Sequence, residues 1–398
     1  MAELLAVDDA LARIVETAKP LVTERVTVAA AAGRILREPA RALVDLPPFP
    51  SSAMDGFAVR AADIPGELPV AFEVAAGSPP PGPLPLGAAA AISTGGTVPD
   101  GADAVVPVEL VEHHGTRVAI AGKATGGQHV RPRGGDVREG DVVVGPGTTI
   151  GPAQIGALAA SGIAEVTCSA LPRVAVVATG SELRAAGEAL AAGQIYESNR
   201  AMLGATLARI GAEVDVFPVV EDDEAAHRAA LARGLEADVL VTSGGVSMGE
   251  HDLVRRVEAE LGVREIFWGV AVKPGKPLSF GARDGGLVFG LPGNPVSSLV
   301  GALVFVATGL RALQGATDAR PRYAQGVTAA ALRRNANRDE FVRAVRDDDD
   351  DGVLLRAISG QESHMIVRAA VADSLVHVPR GDGEIPAGSL VRFLALDA

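Results

Sequence analysis

The sequence predicts a multidomain chain of the α/β plus β class, and three observations carry that prediction. At 398 residues it exceeds what one compact core usually holds. Its middle alternates continuous apolar runs with helix-like stretches, the rhythm of a central parallel sheet covered by helices. On either side the rhythm changes to short apolar runs broken by Pro and Gly, which is β character. With 48% hydrophobic and 21% charged residues, the chain has the composition of a folded protein rather than a disordered one.

The first expected element is a short amphipathic helix over residues 8–19. Leu11, Ile14, Val15 and Ala18 share one face there, and Asp8 or Asp9 can cap the start. From about Pro47 to Asp141, runs such as 70–74 and 103–108 describe a small β domain, with the proline-rich stretch 78–85 in a loop or on an edge. Residues 142–170 read as a connecting segment with a helix near 152–160. Central strands are expected at 173–178, 213–217, 238–241, 264–270 and 287–289, with helices at 200–210, 223–235, 251–261 and from Pro295. The uncharged stretch 296–310 is shorter than a membrane span and reads as a buried helix. From Arg320 onward, runs at 341–345, 353–357, 375–378 and 390–394 predict a small barrel or sandwich. The acidic run 347–351 before Gly352 reads as a solvated hairpin turn rather than a metal site.

Composition excludes several functions. A net charge of −13 and scarce aromatic residues disfavour nucleic-acid binding, which needs cations along an extended surface and rings for stacking. One cysteine, Cys168, leaves no disulfide framework or thiolate zinc cluster, and it fits a reducing compartment. The start, Met1-Ala-Glu-Leu-Leu-Ala-Val-Asp-Asp, carries acids where a signal peptide needs a basic region, so a cytoplasmic location is expected, with no membrane association.

In an open α/β sheet, ligands bind beyond the carboxyl ends of the strands, where loops lead into helix N-termini. Four such ends carry unusual residues: Thr179 to Glu182, Glu221 to Glu224, Thr242 to Met248, and Leu291 to Asn294. Each alone could equally be turn chemistry. Together at one edge they describe an anion site, in which glycines let backbone N–H groups approach oxygens closely. Substrate binding is therefore assigned to Thr179, Gly180, Ser243, Gly244, Gly245, Ser247, Pro292, Gly293 and Asn294. Glu182, Asp222 and Asp252 stand on or beside these loops; carboxylates next to a phosphate site point to Mg²⁺, and an N-cap is the alternative for each. Lys273 and Lys276, framed by Pro274, Gly275 and Pro277, supply fixed positive charge in an acidic chain. No G-x-G-x-x-G follows the first strand, and residues 269–277 have the wrong spacing for a P-loop, which disfavours a dehydrogenase or a P-loop ATPase.

Seven segments now fall into one pattern: Ser52-Ala-Met-Asp-Gly-Phe-Ala, Ser93-Thr-Gly, Ala178-Thr-Gly-Ser-Glu-Leu, Gln194-Ile-Tyr-Glu-Ser-Asn, Ser243-Gly-Gly-Val-Ser-Met-Gly, Lys273-Pro-Gly-Lys-Pro and Gly290-Leu-Pro-Gly-Asn-Pro-Val-Ser. In that order, through nearly the whole chain, they resemble the MoeA family of molybdopterin molybdenumtransferases and are similar to the E domain of gephyrin. The resemblance implies four domains: an N-terminal and connecting domain (1–46 and 140–170), an inserted β domain (47–139), a molybdopterin-binding α/β domain (171–316) and a C-terminal β-barrel (317–398). It implies a homodimer in which the inserted domain of one subunit reaches the site of the other. The implied reaction takes adenylylated molybdopterin and molybdate, uses Mg²⁺ and releases AMP, with a molybdopterin adenylyltransferase as a potential partner.

By position, Asp55, Thr94, Asp136, Glu182, Asp222, Asp252, Lys273, Lys276, Arg343 and Ser363 match the family's functional residues. The roles expected of them are those the resemblance implies. Glu182, Asp222 and Asp252 hold or orient Mg²⁺, the Gly244 and Gly245 amides hold phosphate, and Lys273, Lys276, Arg343 and Ser363 receive molybdate or the pterin phosphate. One departure stands out: Gly269 occupies a position where many members carry lysine. A scaffold role, which gephyrin suggests, lacks a long linker or second enzymatic domain. A pterin adenylyltransferase would need neither the inserted domain nor the barrel.

Overall fold

The computed structural model describes residues 4–220, 223–245, 253–349 and 352–396. They form two compact units, one of Arg25–Ala32 and Glu38–Thr167, the other of the described parts of Met1–Glu24, Gly33–Arg37 and Cys168–Ala398.

The first unit is built on a six-stranded sheet in the order Ala104–Pro107, Gly56–Val59, Ala89–Ile92, Gly66–Val74, Arg117–Ile120, Glu112–His114. Side chains alternate across it: Phe57 and Val59 pack with Val106 and Val118, whereas Ala58 faces the other way with Ala90 and Val105. Both faces are thus buried at Gly56–Val59, Ala89–Ile92 and Ala104–Pro107, which explains the near-continuous apolar runs of those three strands. The proline-rich stretch 78–85 carries no strand, as its missing N–H donors require. In the same unit Val142–Val144 pairs with Ala40–Arg41, and a helix spans Pro152–Ala160 with Pro at its first turn.

The second unit opens with α1 (Val7–Thr17). It starts earlier than expected, so Asp8 and Asp9 lie in its first turn, where they oppose the positive helix end, and Ala6 occupies the cap. Its buried stripe is Val7, Ala10, Leu11 and Ile14, with Val15 exposed. The α/β core follows as β1 (Arg173–Ala178), α2 (Asn199–Arg209), β2 (Glu213–Val216), α3 (Glu224–Gly234), β3 (Val239–Ser243), α4 (Leu253–Glu260), β4 (Arg264–Trp268), β5 (Ser279–Arg283), β6 (Gly286–Leu291) and α5 (Pro295–Leu313). The sheet order is β2-β1-β3-β6-β5-β4.

The expected parallel sheet is corrected at one strand. The strands β2, β1, β3 and β6 pair in parallel, but β5 runs antiparallel to both β6 and β4. A tight turn at Asp284-Gly285, both at positive φ, reverses the chain there. Along β1, Val174 and Val176 face the cluster holding α1, α2 and α5, while Ala175 and Val177 face the one holding α3 and α4. The helical run α5 has 19 residues, longer than expected, with π turns over Ala302–Val306. It is long and apolar enough to cross a membrane by length and composition, yet 83% of its apolar window is buried against the sheet and α1. Cys168 is buried, and burial pushes its thiol pKa up.

The C-terminal strands are β7 (Ala324–Thr328), β8 (Asp339–Asp349), β9 (Gly352–Ala357), β10 (Ser374–Val378) and β11 (Leu390–Ala395). They pair in the order β8-β9-β7-β11-β10, and β10 pairs back to β8, closing a five-stranded barrel rather than a sandwich. The acidic run is partly strand: Asp347 and Asp348 pair with Leu354 and Val353, while Asp350 and Asp351 fall outside the described residues. The two-residue strand Val272–Lys273, from the loop between β4 and β5, adds in parallel to Asp339 and Glu340 at the start of β8.

Candidate active site

Beyond the carboxyl ends of β1, β3 and β6 lies a cavity of ≈ 1050 Å³. Thr179, Gly180, Glu182, Ser243, Gly244, Gly245, Pro292, Gly293 and Asn294 all line it, so the structure brings together nine residues singled out from three separate loops. Asp222, Ser247 and Asp252 lie outside the described residues. Among the described residues no cluster of three or more metal-ligating side chains occurs, and Glu182 is the assigned carboxylate that stands at the cavity.

The glycine pair has two different jobs. Gly244 and Gly245 both adopt positive φ, and a Cβ on Gly245 would lie 2.5 Å from Val254 Cγ2, so only glycine fits this turn beside α4. The expectation that both amides hold phosphate is corrected at Gly244. Its N–H already donates to Leu291 O at 3.0 Å, extending the β3–β6 ladder by one bond. The Gly245 N–H has no protein acceptor among the described residues.

Asn199, the first residue of α2, ties the walls together. Its Nδ2 donates to Ser243 Oγ at 2.8 Å and to Gly293 O at 2.7 Å. Next to it, Glu197 accepts from Arg200 N–H at 2.8 Å and from Arg200 Nε at 3.0 Å, satisfying the helix start. Neither residue was given a role from sequence. The signal was available, because both sit in the Gln194–Asn199 motif immediately before a helix.

The loop after β9 closes one side, where His364 and Ile366 line the cavity. Ser363 contributes its carbonyl, which accepts from Val296 N–H at the start of α5 at 3.1 Å. Arg343 holds this loop from beneath. It is 1% exposed and donates from Nε to Gln361 Oε1, from one terminal nitrogen to Met365 O, and from the other to Gly360 O and Glu362 O, at 2.9–3.3 Å. Burial lowers its pKa, against the opposing pull of Glu362. Expected as an anion receiver, Arg343 instead commits its guanidinium to the loop that carries Ser363 and His364.

The two lysines also differ. Lys273, in register with Glu340, forms an ion pair with it at 3.0 Å. Lys276 Nζ has no hydrogen bond or ion pair among the described residues, while its carbonyl accepts from the Val270 and Leu278 N–H groups. Gly269 adopts φ +85, and a Cβ there would press on Leu4 at 3.0 Å, so this position is built for glycine and offers no third cation.

In the other unit, Thr94 N–H donates to Asp55 Oδ1 at 2.6 Å, joining two residues far apart in sequence. Asp136 is exposed, its N–H bonded to Leu46 O, and no hydrogen bond links it to that pair among the described residues.

Family models match along the whole chain: "MoeA N-terminal region (domain I and II)" over residues 5–162, "Probable molybdopterin binding domain" over 175–312, and "MoeA C-terminal region (domain IV)" over 325–396. A molybdopterin molybdenumtransferase of Haemophilus influenzae is 34% identical over 396 residues, covering 98% of each chain. Molybdopterin molybdenumtransferase 2 of Mycobacterium tuberculosis is 36% identical, covering 95% of this chain and 96% of its own. Crystal structures of molybdopterin biosynthesis MoeA proteins from Pyrococcus horikoshii superpose with TM-scores of 0.78 at 30% identity and 0.84 at 27% identity, over 98% or more of each chain. With motifs, domain order and fold in agreement, the chain belongs to the molybdopterin molybdenumtransferase (MoeA) family, transferases of molybdenum cofactor biosynthesis.

Proposed function

We propose that this transferase inserts molybdate into adenylylated molybdopterin with release of AMP, in a Mg²⁺-dependent reaction at the cavity beyond β1, β3 and β6. The observation that carries the reading is the convergence of the Thr179, Ser243 and Pro292 loops on one cavity of ≈ 1050 Å³, ample for a pterin joined to a nucleotide. The Gly245 N–H, which has no protein acceptor among the described residues, holds a phosphate oxygen, and Lys276 with Lys273 and Ser363 receives molybdate. Arg343 acts through the loop it fixes.

The donor set at the cavity suits Mg²⁺, a hard cation that takes one or two carboxylates and completes its shell with phosphate oxygens and water. Glu182 would hold it, together with Asp222 and Asp252. Once bound, it would neutralise charge on the phosphoryl oxygens as the bond to AMP breaks.

The same reading includes a homodimer in which Asp55, Thr94 and Asp136 serve the site of the other subunit. It also includes the four-domain division 1–46 with 140–170, 47–139, 171–316 and 317–398, and a cytoplasmic location. A molybdopterin adenylyltransferase would supply the substrate.

The test is AMP release from adenylylated molybdopterin by purified protein with Mg²⁺, with and without molybdate. Release that needs both molybdate and Mg²⁺ is expected. Absence of molybdate-dependent release sinks the proposal, and release that survives metal chelation removes Mg²⁺ from it.

A further inference from the structure

Asn199 lines the cavity and is 8% exposed. Its carboxamide orientation is unambiguous, because Gly293 O is an acceptor and must face the nitrogen. With Nδ2 spanning Ser243 Oγ and Gly293 O, both amide hydrogens are used. The Oδ1 that remains is buried and has no hydrogen-bond partner among the described residues. Buried carbonyl oxygens of this kind almost always find a donor, since leaving one unpaired forfeits its hydration without return. The surroundings explain why the fold keeps it. Ser243 ends β3, Gly293 follows β6, and Asn199 begins α2, so one side chain cross-links three of the elements that form the cavity wall. Ser243 is backed in turn by Ser298 of α5 at 3.5 Å, and Ser298 donates to Pro292 O, so the tie is anchored on the core helix.

From this geometry we infer that Asn199 is a substrate-positioning residue with two separable functions. Its N–H pair sets the separation of the Ser243 and Gly293 walls, and its Oδ1 accepts one hydrogen bond from a neutral N–H or O–H donor of the bound pterin or nucleotide. The inference rests on the reaction proposed above for the chemistry of the ligand. The position is unsuited to an anion, because a carbonyl oxygen repels phosphate or molybdate oxygens. It therefore complements the Gly245 amide and Lys276, which attract anions.

Two substitutions separate the functions. Asn199→Ala removes both the tie and the acceptor, whereas Asn199→Asp keeps an acceptor oxygen and loses the donors to Gly293 O and Ser243 Oγ. In steady-state AMP release with wild type alongside, Asn199→Ala is expected to raise KM for adenylylated molybdopterin about tenfold and to lower kcat. Asn199→Asp is expected to lower kcat about tenfold and, because it retains an acceptor while adding charge repulsion, to raise KM for adenylylated molybdopterin by less than Asn199→Ala does. Calorimetric titration with AMP, and separately with molybdopterin lacking its adenylyl group, identifies which half supplies the donor: only that half loses affinity in Asn199→Ala. Thermal melts of both variants within a few degrees of wild type show that the fold survives. Equal KM increases in the two variants, or unchanged affinity for both halves in Asn199→Ala, overturn the acceptor role. Unchanged kcat in both overturns the tie. If wild type itself releases no AMP, the proposed reaction fails, and the titrations with the two halves still decide the inference.

Discussion

Replacing Arg343 with Ala tests whether this residue serves the site by holding a loop or by meeting the anion. Four side-chain hydrogen bonds would be lost, to Gln361 Oε1 and to the carbonyls of Gly360, Glu362 and Met365. Hydrogen bonds to a charged group each contribute about 1.5–3 kcal/mol, but they share one guanidinium and do not add. Removing the side chain also releases the cost of burying its charge. The net destabilisation expected is about 2–4 kcal/mol, a fall in melting temperature of roughly 5–15 °C for a domain of this size. The effect should be local as well as global. Residues 358–366 should exchange backbone hydrogen much faster, and AMP release should fall because the wall formed by His364 and Ile366 is no longer fixed. A variant that melts with wild type and keeps slow exchange over 358–366, while its KM for molybdate rises, would refute the clamp and restore direct anion binding.

Two further perturbations follow from ion pairs of the barrel. Glu340→Gln should change stability by no more than about 1 kcal/mol, since Lys273 is half exposed, and should lower KM for molybdate by about two- to fivefold by freeing that lysine; a higher KM would count against Lys273 as an anion receiver. Burial pushes the Asp339 pKa up, but hydrogen bonds from His377 and the Arg380 N–H outweigh it and hold the carboxyl below its usual value. A carboxyl depressed in the folded state stabilises above its unfolded pKa of about 3.9, and that contribution disappears as pH falls through the folded value. The melting temperature of wild type should thus exceed that of Asp339→Asn at pH 6–7, with the gap closing below about pH 4. A gap that stays constant down to pH 3 contradicts the assignment.

The α/β elements were most legible where a strand is a run buried on both faces, as in β1, β3 and β6, whereas the more exposed β2 and β4 are read from their place between helix-like stretches. The exception, β5, lies in Ser279-Phe-Gly-Ala-Arg, where a central glycine and a terminal arginine dilute the apolar run. The Asp284-Gly285 dipeptide after it was the available hairpin signal. The site loops were legible for a topological reason, since whatever follows a parallel strand arrives at the same edge. What could not be read was the use of each polar group. Whether the Gly244 N–H is free depends on how far the β3–β6 ladder runs, and the direction of Arg343 depends on the register of β8. The Lys273–Glu340 pair joins residues 67 apart through a strand only two residues long, which no local pattern announces.

That two-residue strand bears on how such a protein can change over evolutionary time. Its backbone leaves the α/β domain, borrows an edge of the barrel and returns to form β5, so the cationic segment is half owned by each module. A descendant that discarded the barrel would lose the partner strand and the counter-charge of Lys273 together, along with the loop that Arg343 steadies. The barrel is therefore not a detachable accessory that gene fission could shed without rebuilding the Lys273 segment and the cavity wall that carries His364 and Ile366. Duplication or fusion of the chain is expected to carry the α/β domain and barrel as one inherited block.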